Sequence, residues 1–291
     1  MIWLLFSILS SAGIYVIFKF VDKGKMPLLN IIIINYLIAS VFGFLLAEEF
    51  PIQKIFNAEW LYTGLVLGVL LIFLFFMVGL SSAKAGISIT TVACKMAVVI
   101  PMVFAIIAYK ESVGFVKIIS IILAILAVSM SVYKKSSNNA KFNRLTIILP
   151  LILFIGMGME NSLLIFSKEK YINADMSSVY TASLFSVALI SGLILICFKP
   201  KMLRNFQKPK IWLTGTLLGL TNFGSIYFVL RTLNSGVFTN SVTYGIINIG
   251  IVTITVLIGT MFFKEKLSKL NISGVVISII AMILLTYADS F

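Results

Sequence analysis

The chain has 291 residues, 60% of them apolar and only 11% charged, with a mean hydropathy of +1.11; soluble domains run about 45–50% apolar and about 25% charged. That much apolar surface points to the bilayer as solvent, and the absence of histidine excludes imidazole metal sites, Ser-His or Cys-His nucleophiles and imidazole proton relays. The net charge of +13 comes from basic residues at the edges of apolar runs, the pattern of membrane topology rather than of nucleic-acid binding.

Windows of about 19 residues give ten apolar segments, near 1–20, 28–47, 60–80, 86–108, 115–133, 145–167, 177–198, 211–231, 237–262 and 268–287. They are numbered here as spans 1 to 10. Span 1 has no basic residue before Lys19, unlike a signal peptide, so it is expected to stay in the mature protein; Ser7, Ser11 and Tyr15 share one of its faces. Span 3 opens on Trp60 and carries Gly64 and Gly68, a spacing that lets helix backbones approach closely; its Phe73, Phe75 and Phe76 read as lipid contacts.

Span 4 is the most informative. Ser88, Thr91 and Lys95 fall at i, i+3 and i+7, one helical face. A lysine that deep costs roughly 2.5–3.5 kcal/mol unless it meets protein or water. Lys95 therefore points inward, as a cation for an anionic group of a solute or for a structural acid. Pro101 cannot donate to the Ala97 carbonyl, which predicts a bend beyond Lys95 and an exposed carbonyl open to a ligand.

Lys134 to Arg144 reads as a linker between five spans and five. In span 6, Glu160 is the one carboxylate far from a span end, and Asn161 follows it. At about 1.5 Å per residue, Lys95 lies roughly 14 Å and Glu160 roughly 22 Å into their spans. A zwitterion such as an amino acid would set its carboxylate near Lys95 and its ammonium near Glu160. Glu160 is also the candidate for proton coupling, and a permanent Lys95–Glu160 ion pair is the structural alternative. Span 8 adds Gly215, Gly219 and Asn222. Span 9 adds Asn240, Tyr244 and Asn248 at i, i+4 and i+8, with Gly245 and Gly250 joining Pro101 as candidate hinges. Cys94 and Cys197 sit in apolar runs and are expected to be unpaired.

Sixteen Lys and Arg fall on one side of the spans and six on the other. The positive-inside rule makes the richer side cytoplasmic, with both termini extracytoplasmic, in a plasma membrane. Weak internal similarity relates the halves. Trp60-Leu61-Tyr62-Thr63-Gly64 resembles Trp212-Leu213-Thr214-Gly215, and Lys110-Glu111 after span 4 matches Lys264-Glu265 after span 9. Both Lys-Glu turns read as helix ends with solvated charges. An odd number of spans per half makes the second copy enter from the opposite side, an inverted repeat of residues 1–137 and 138–291. The fold expected is an all-α integral membrane protein of ten transmembrane helices in two inverted five-helix repeats.

The order of elements, Pro101 in span 4, the paired Lys-Glu turns and the length resemble the drug/metabolite transporter superfamily, specifically EamA-type ten-helix carriers, over essentially the whole chain. Thr255 stands where the offset pairs with Pro101, and cytoplasmic termini are common in that family, against the charge count here. The resemblance implies a cavity lined by spans 1, 3, 4, 6, 8 and 9, and movement of small organic solutes by alternating access. No cofactor or metal is expected. The partners expected are a small-molecule substrate, membrane lipid and a coupling proton or counter-solute, with no nucleic acid; oligomeric state stays open. A channel or lipid-moving protein is the alternative. An intramembrane enzyme is disfavoured because the only aspartates, Asp22, Asp175 and Asp289, form no intramembrane pair, and no Gly-x-Ser-x-Gly elbow occurs.

Overall fold

The structure is a computed structural model that describes residues 2–46, 59–109, 114–133, 144–171, 177–238 and 240–287. Every regular element among these residues is helical. Span 1 is Ile2–Lys23, span 2 Leu28–Leu45, span 3 Leu61–Lys84, span 5 Phe115–Val132, span 6 Leu145–Tyr171, span 7 Ser177–Cys197, span 8 Pro209–Asn234, span 9 Asn240–Met261 and span 10 Lys269–Tyr287. Span 4 is two helices, Ile87–Met96 and Val99–Tyr109. Ten stretches are long and apolar enough to cross a membrane, where each helix satisfies its own backbone groups.

The described chain divides into two compact units that interleave its halves. One comprises residues 1–19, 77–159 and 224–291; the other comprises 20–76 and 160–223. Spans 4, 5, 9 and 10 lie wholly in the first and spans 2 and 7 wholly in the second, while spans 1, 3, 6 and 8 each give one end to either. Each span is thus treated like the one five positions further along.

Packing within the units repeats that correspondence. In the first unit span 5 lies against span 10, and the opening helix of span 4 lies against span 9; Val92, Met96, Val128, Val252 and Met282 share their apolar core. A Cβ on Gly274, near the start of span 10, would meet the Ser131 backbone nitrogen at 2.6 Å near the end of span 5, so the two run antiparallel in close backbone contact. Asn271 fastens the same seam. Its amide donates to the carbonyls of Met130, Ser131 and Tyr133 at 3.2, 2.7 and 2.9 Å, groups that a helix end leaves without intrahelical donors. Asn271→Ala orphans these acceptors and is expected to cost about 2 kcal/mol, read as a lower thermal unfolding midpoint in detergent.

In the second unit spans 2 and 7 are antiparallel neighbours. A Cβ on Gly43, late in span 2, would sit 2.9 Å from Ala182 Cβ, early in span 7, while one on Gly192 would meet Ile33 at 2.8 Å. Tyr36 is fully buried between Phe75 and Phe185 and donates its hydroxyl to the Leu71 carbonyl at 3.0 Å. Phe75 therefore faces protein, whereas Phe73 is 47% exposed, which splits the aromatic run read as lipid contact. The small-residue motifs act as expected at three of four positions: Gly68 admits Val187, Gly215 admits Ile34 and Gly219 admits Ile38. Gly64 differs, since its nearest neighbour is the ring of Trp60 one turn earlier.

Candidate functional site

Span 4 breaks at Ala97–Val98, between the two helices of that span and four residues before buried Pro101. The expected interruption is present, but the expected open carbonyl is not. Ala97 is fully buried, and its carbonyl accepts from the Ile100 N–H at 3.1 Å, a tighter i→i+3 turn replacing the bond that Pro101 cannot make. Lys95 stands in the last turn before this break, where its charge complements the negative helix end. It is half-buried, and beside it Cys94 lies next to the hydroxyl of Tyr15 from span 1. Thr91 is fully buried and spends its proton on the Ile87 carbonyl at 2.7 Å, which leaves an acceptor oxygen but no free donor.

Span 9 runs as one helix from Asn240 to Met261. The side chain of Asn240 lies outside the described residues; Asn248 is half-buried and Tyr244 is 47% exposed. The candidate hinges Gly245 and Gly250 coincide with no break. A Cβ on Gly245 would overlap Thr286 of span 10, and one on Gly250 would meet Ile8 of span 1 at 2.5 Å, so both serve as points of close approach.

The remaining candidates belong to the second unit. Glu160 is half-buried, and its Oε2 is sealed from solvent without a hydrogen-bond partner. A carboxylate oxygen left so is costly. Asn161 follows on the same helix and is half-buried. Asn222 is buried within hydrogen-bond reach of the Asn35 amide, at 3.2 Å, which makes it part of the packing between spans 2 and 8. Lys95, Thr91, Asn240, Tyr244 and Asn248 are therefore grouped on spans 4 and 9 of one unit, and Glu160, Asn161 and Asn222 on spans 6 and 8 of the other.

One charged cluster differs from the sequence reading. Glu265, expected to be solvated, is only 9% exposed at its side chain and closes the open start of span 4. It accepts from the N–H of Ile87 at 2.7 Å, the N–H of Ser88 at 3.2 Å and the hydroxyl of Ser88 at 2.8 Å. Lys19 of span 1 sits 3.6 Å from the same carboxylate and donates to the Ser82 carbonyl at 3.1 Å. Gly86 makes this possible: its φ of +101° is strained for any residue with a side chain, and a Cβ there would fall 2.7 Å from Glu265 Oε1. The partner Lys-Glu turn, Lys110-Glu111, lies outside the described residues, as does most of the 134–144 linker. Glu265 and Lys19 also line an open cavity of about 510 Å³ with Lys84, Lys266, Tyr133 and Asn271. These residues come from the ends of spans 1, 3, 5 and 9 and the start of span 10, all on the face richer in basic residues.

These elements define a multi-pass membrane protein with ionisable groups inside its spans and a charged cluster at one face. No family model matches the sequence. The chain is similar to an uncharacterized protein of Haemophilus influenzae, 25% identical over 296 aligned positions that take in 98% of each chain.

Proposed function

We propose that the protein is a secondary transporter of the EamA type, in the drug/metabolite transporter superfamily, built from inverted repeats 1–137 and 138–291 and moving a small polar metabolite by alternating access. The carrying observation is the correspondence of each span with the one five further on. Spans 2 and 7, 4 and 9, and 5 and 10 pack as pairs, and both compact units respect the same offset. Duplicated five-span bundles of opposite orientation produce that arrangement, and such bundles rock about a site near the bilayer midplane.

Lys95 is the group for an anionic part of the solute. Glu160 is the group for a cationic part or for a coupling proton, and the unpartnered Oε2 supports a role beyond packing. An amino-acid-like zwitterion carries both kinds of group. No P-loop or other nucleotide site occurs in the sequence, and a gradient of solute or ion supplies the energy. The Glu265 cluster joins the second repeat to spans 1, 3 and 4 of the first, and acts as the latch of the basic, cytoplasmic face.

Saturable counterflow of amino acids in proteoliposomes is the test; flux that rises without saturation would make the protein a channel instead. Proton coupling predicts that a protonophore abolishes accumulation in intact vesicles and that Glu160→Gln exchanges solute but no longer concentrates it. Accumulation indifferent to the proton gradient removes that role from Glu160. In the proposed orientation both termini lie outside the cytoplasm in a plasma membrane, so a C-terminal phosphatase fusion is expected to be active and a C-terminal green fluorescent fusion dark.

A further inference from the structure

The second unit carries a groove with an apolar lining and a cationic mouth, lined by none of the candidate solute-binding residues. It encloses about 500 Å³ between spans 2, 3 and 7, walled by Leu29, Val69, Phe73, Phe76 and Leu195 and ending at Lys199. Ser191, the deepest lining residue of span 7, lies six residues, about 9 Å of helix, before the end of that span at Cys197, with Lys199 just beyond. The groove thus starts at the basic face and reaches partway into one leaflet of a hydrocarbon core about 30 Å thick. Its walls belong to helices that span the membrane, so an acyl chain is the solvent that fills it.

The mouth is basic. Lys199 begins a connection that also carries Lys201, Arg204 and Lys208, Lys210 follows in the first turn of span 8, and no Asp or Glu occurs between Asp175 and Glu265 to offset them. That connection is held in place. Residues Pro200–Gln207 form a 3₁₀ helix; the Asn30 amide donates to the Met202 carbonyl at 3.0 Å, and the Trp212 indole donates to the Phe206 carbonyl at 2.7 Å. None of the helix is buried, and Leu203 is 48% exposed beside Lys201 and Arg204, the composition of a segment lying in the headgroup layer. Lys199 makes no ion pair among the described residues.

We propose that this groove holds one anionic phospholipid, an acyl chain along Val69, Phe73 and Phe76 and the headgroup phosphate against Lys199 and its cationic neighbours. Anionic headgroups are drawn to such clusters at the cytoplasmic surface, while a zwitterionic lipid brings no net charge to the five cations. The proposal does not depend on what the protein transports.

The test is native mass spectrometry of the purified full chain with added phosphatidylglycerol or phosphatidylcholine of identical acyl chains. Wild type is expected to keep one phosphatidylglycerol under activation that strips phosphatidylcholine. Lys199→Gln, which removes the charge, and Val69→Trp, which fills the groove but leaves the cations, are each expected to lower that retention at least tenfold. Lys269→Gln, on the same face but in the other unit, should leave it unchanged. Equal retention of the two lipids, or retention insensitive to both groove variants, overturns the proposal. Displacement of the lipid by millimolar inorganic phosphate would also overturn it, by reassigning the cations to a free anion.

Discussion

Lys95→Met is expected to lower transport of a carboxylate-bearing solute at least about 100-fold in proteoliposomes, with Lys95→Arg retaining part of it. The size follows from a charge-assisted hydrogen bond in a dry site, about 3 kcal/mol, at 1.4 kcal/mol per factor of ten. The structure supplies a competing role that must be separated: Lys95 ends the first helix of span 4, and a cation there is worth about 0.3–1 kcal/mol to the helix itself. The two roles diverge in solute-free protein. Helix stabilisation alone predicts a small loss of thermal stability in Lys95→Met and normal stabilisation by added solute. Solute binding predicts near-normal stability of the empty protein and loss of the solute-induced shift. Glu160→Gln is the companion variant: neutralising it relieves an unpartnered buried oxygen and should leave the empty protein as stable or more so, while weakening a solute that carries an ammonium. If a zwitterionic ligand still binds both variants with wild-type affinity, neither residue belongs to its site.

Glu265→Ala is expected to have the largest structural effect of any single surface-side change, about 3 kcal/mol. It strands the Ile87 and Ser88 N–H groups and the Ser88 hydroxyl, and removes the carboxylate facing Lys19. Gly86 cannot compensate, because it has no side-chain oxygen to cap the helix in place of Glu265. Glu265→Gln keeps an acceptor and should lose less. The proposed alternating access adds a second expectation. A cysteine at Ile89, in the lining of the adjacent cavity, should be labelled several times faster by a membrane-impermeant maleimide applied from the basic face once Glu265 is Gln, in a background lacking Cys94 and Cys197. A stability loss without faster labelling would make the cluster a helix cap only. Labelling needs no substrate, so this outcome is independent of whether counterflow is ever observed.

The ten spans were legible because apolar length is the strongest signal a sequence carries, and the interruption of span 4 was legible because a proline removes one identifiable donor. Its consequence was not. Closure of the Ala97 carbonyl by Ile100 is a local rearrangement that only coordinates reveal. Gly68, Gly215 and Gly219 could be read as close approaches from their spacing, but not the neighbours they admit. Glu265 was misread for a physical reason: its partners Ile87 and Ser88 lie 178 and 177 residues away, and a Lys-Glu pair at a helix end ordinarily faces water. One clue was present. A helix that opens on Gly86, with no Ser, Thr, Asp or Asn to cap it, must find its acceptor elsewhere in the chain. The place of Thr91 on the polar face of span 4 did not reveal where its hydroxyl proton goes: like most buried threonines in helices, it donates to its own preceding turn.

The distance along the chain between Ile87 and Glu265 also bears on how the protein is made. Translation at about 5–20 residues per second separates the two by roughly ten to forty seconds, during which the opening amides of the fourth helix wait at the membrane surface with no carboxylate. The early helices therefore enter the bilayer before their final register is locked, and the ribosome must deliver nearly the whole polypeptide first. Fragments that stop short of residue 265 should remain open to proteolysis at the Ala85–Gly86 bend, however well their individual helices insert.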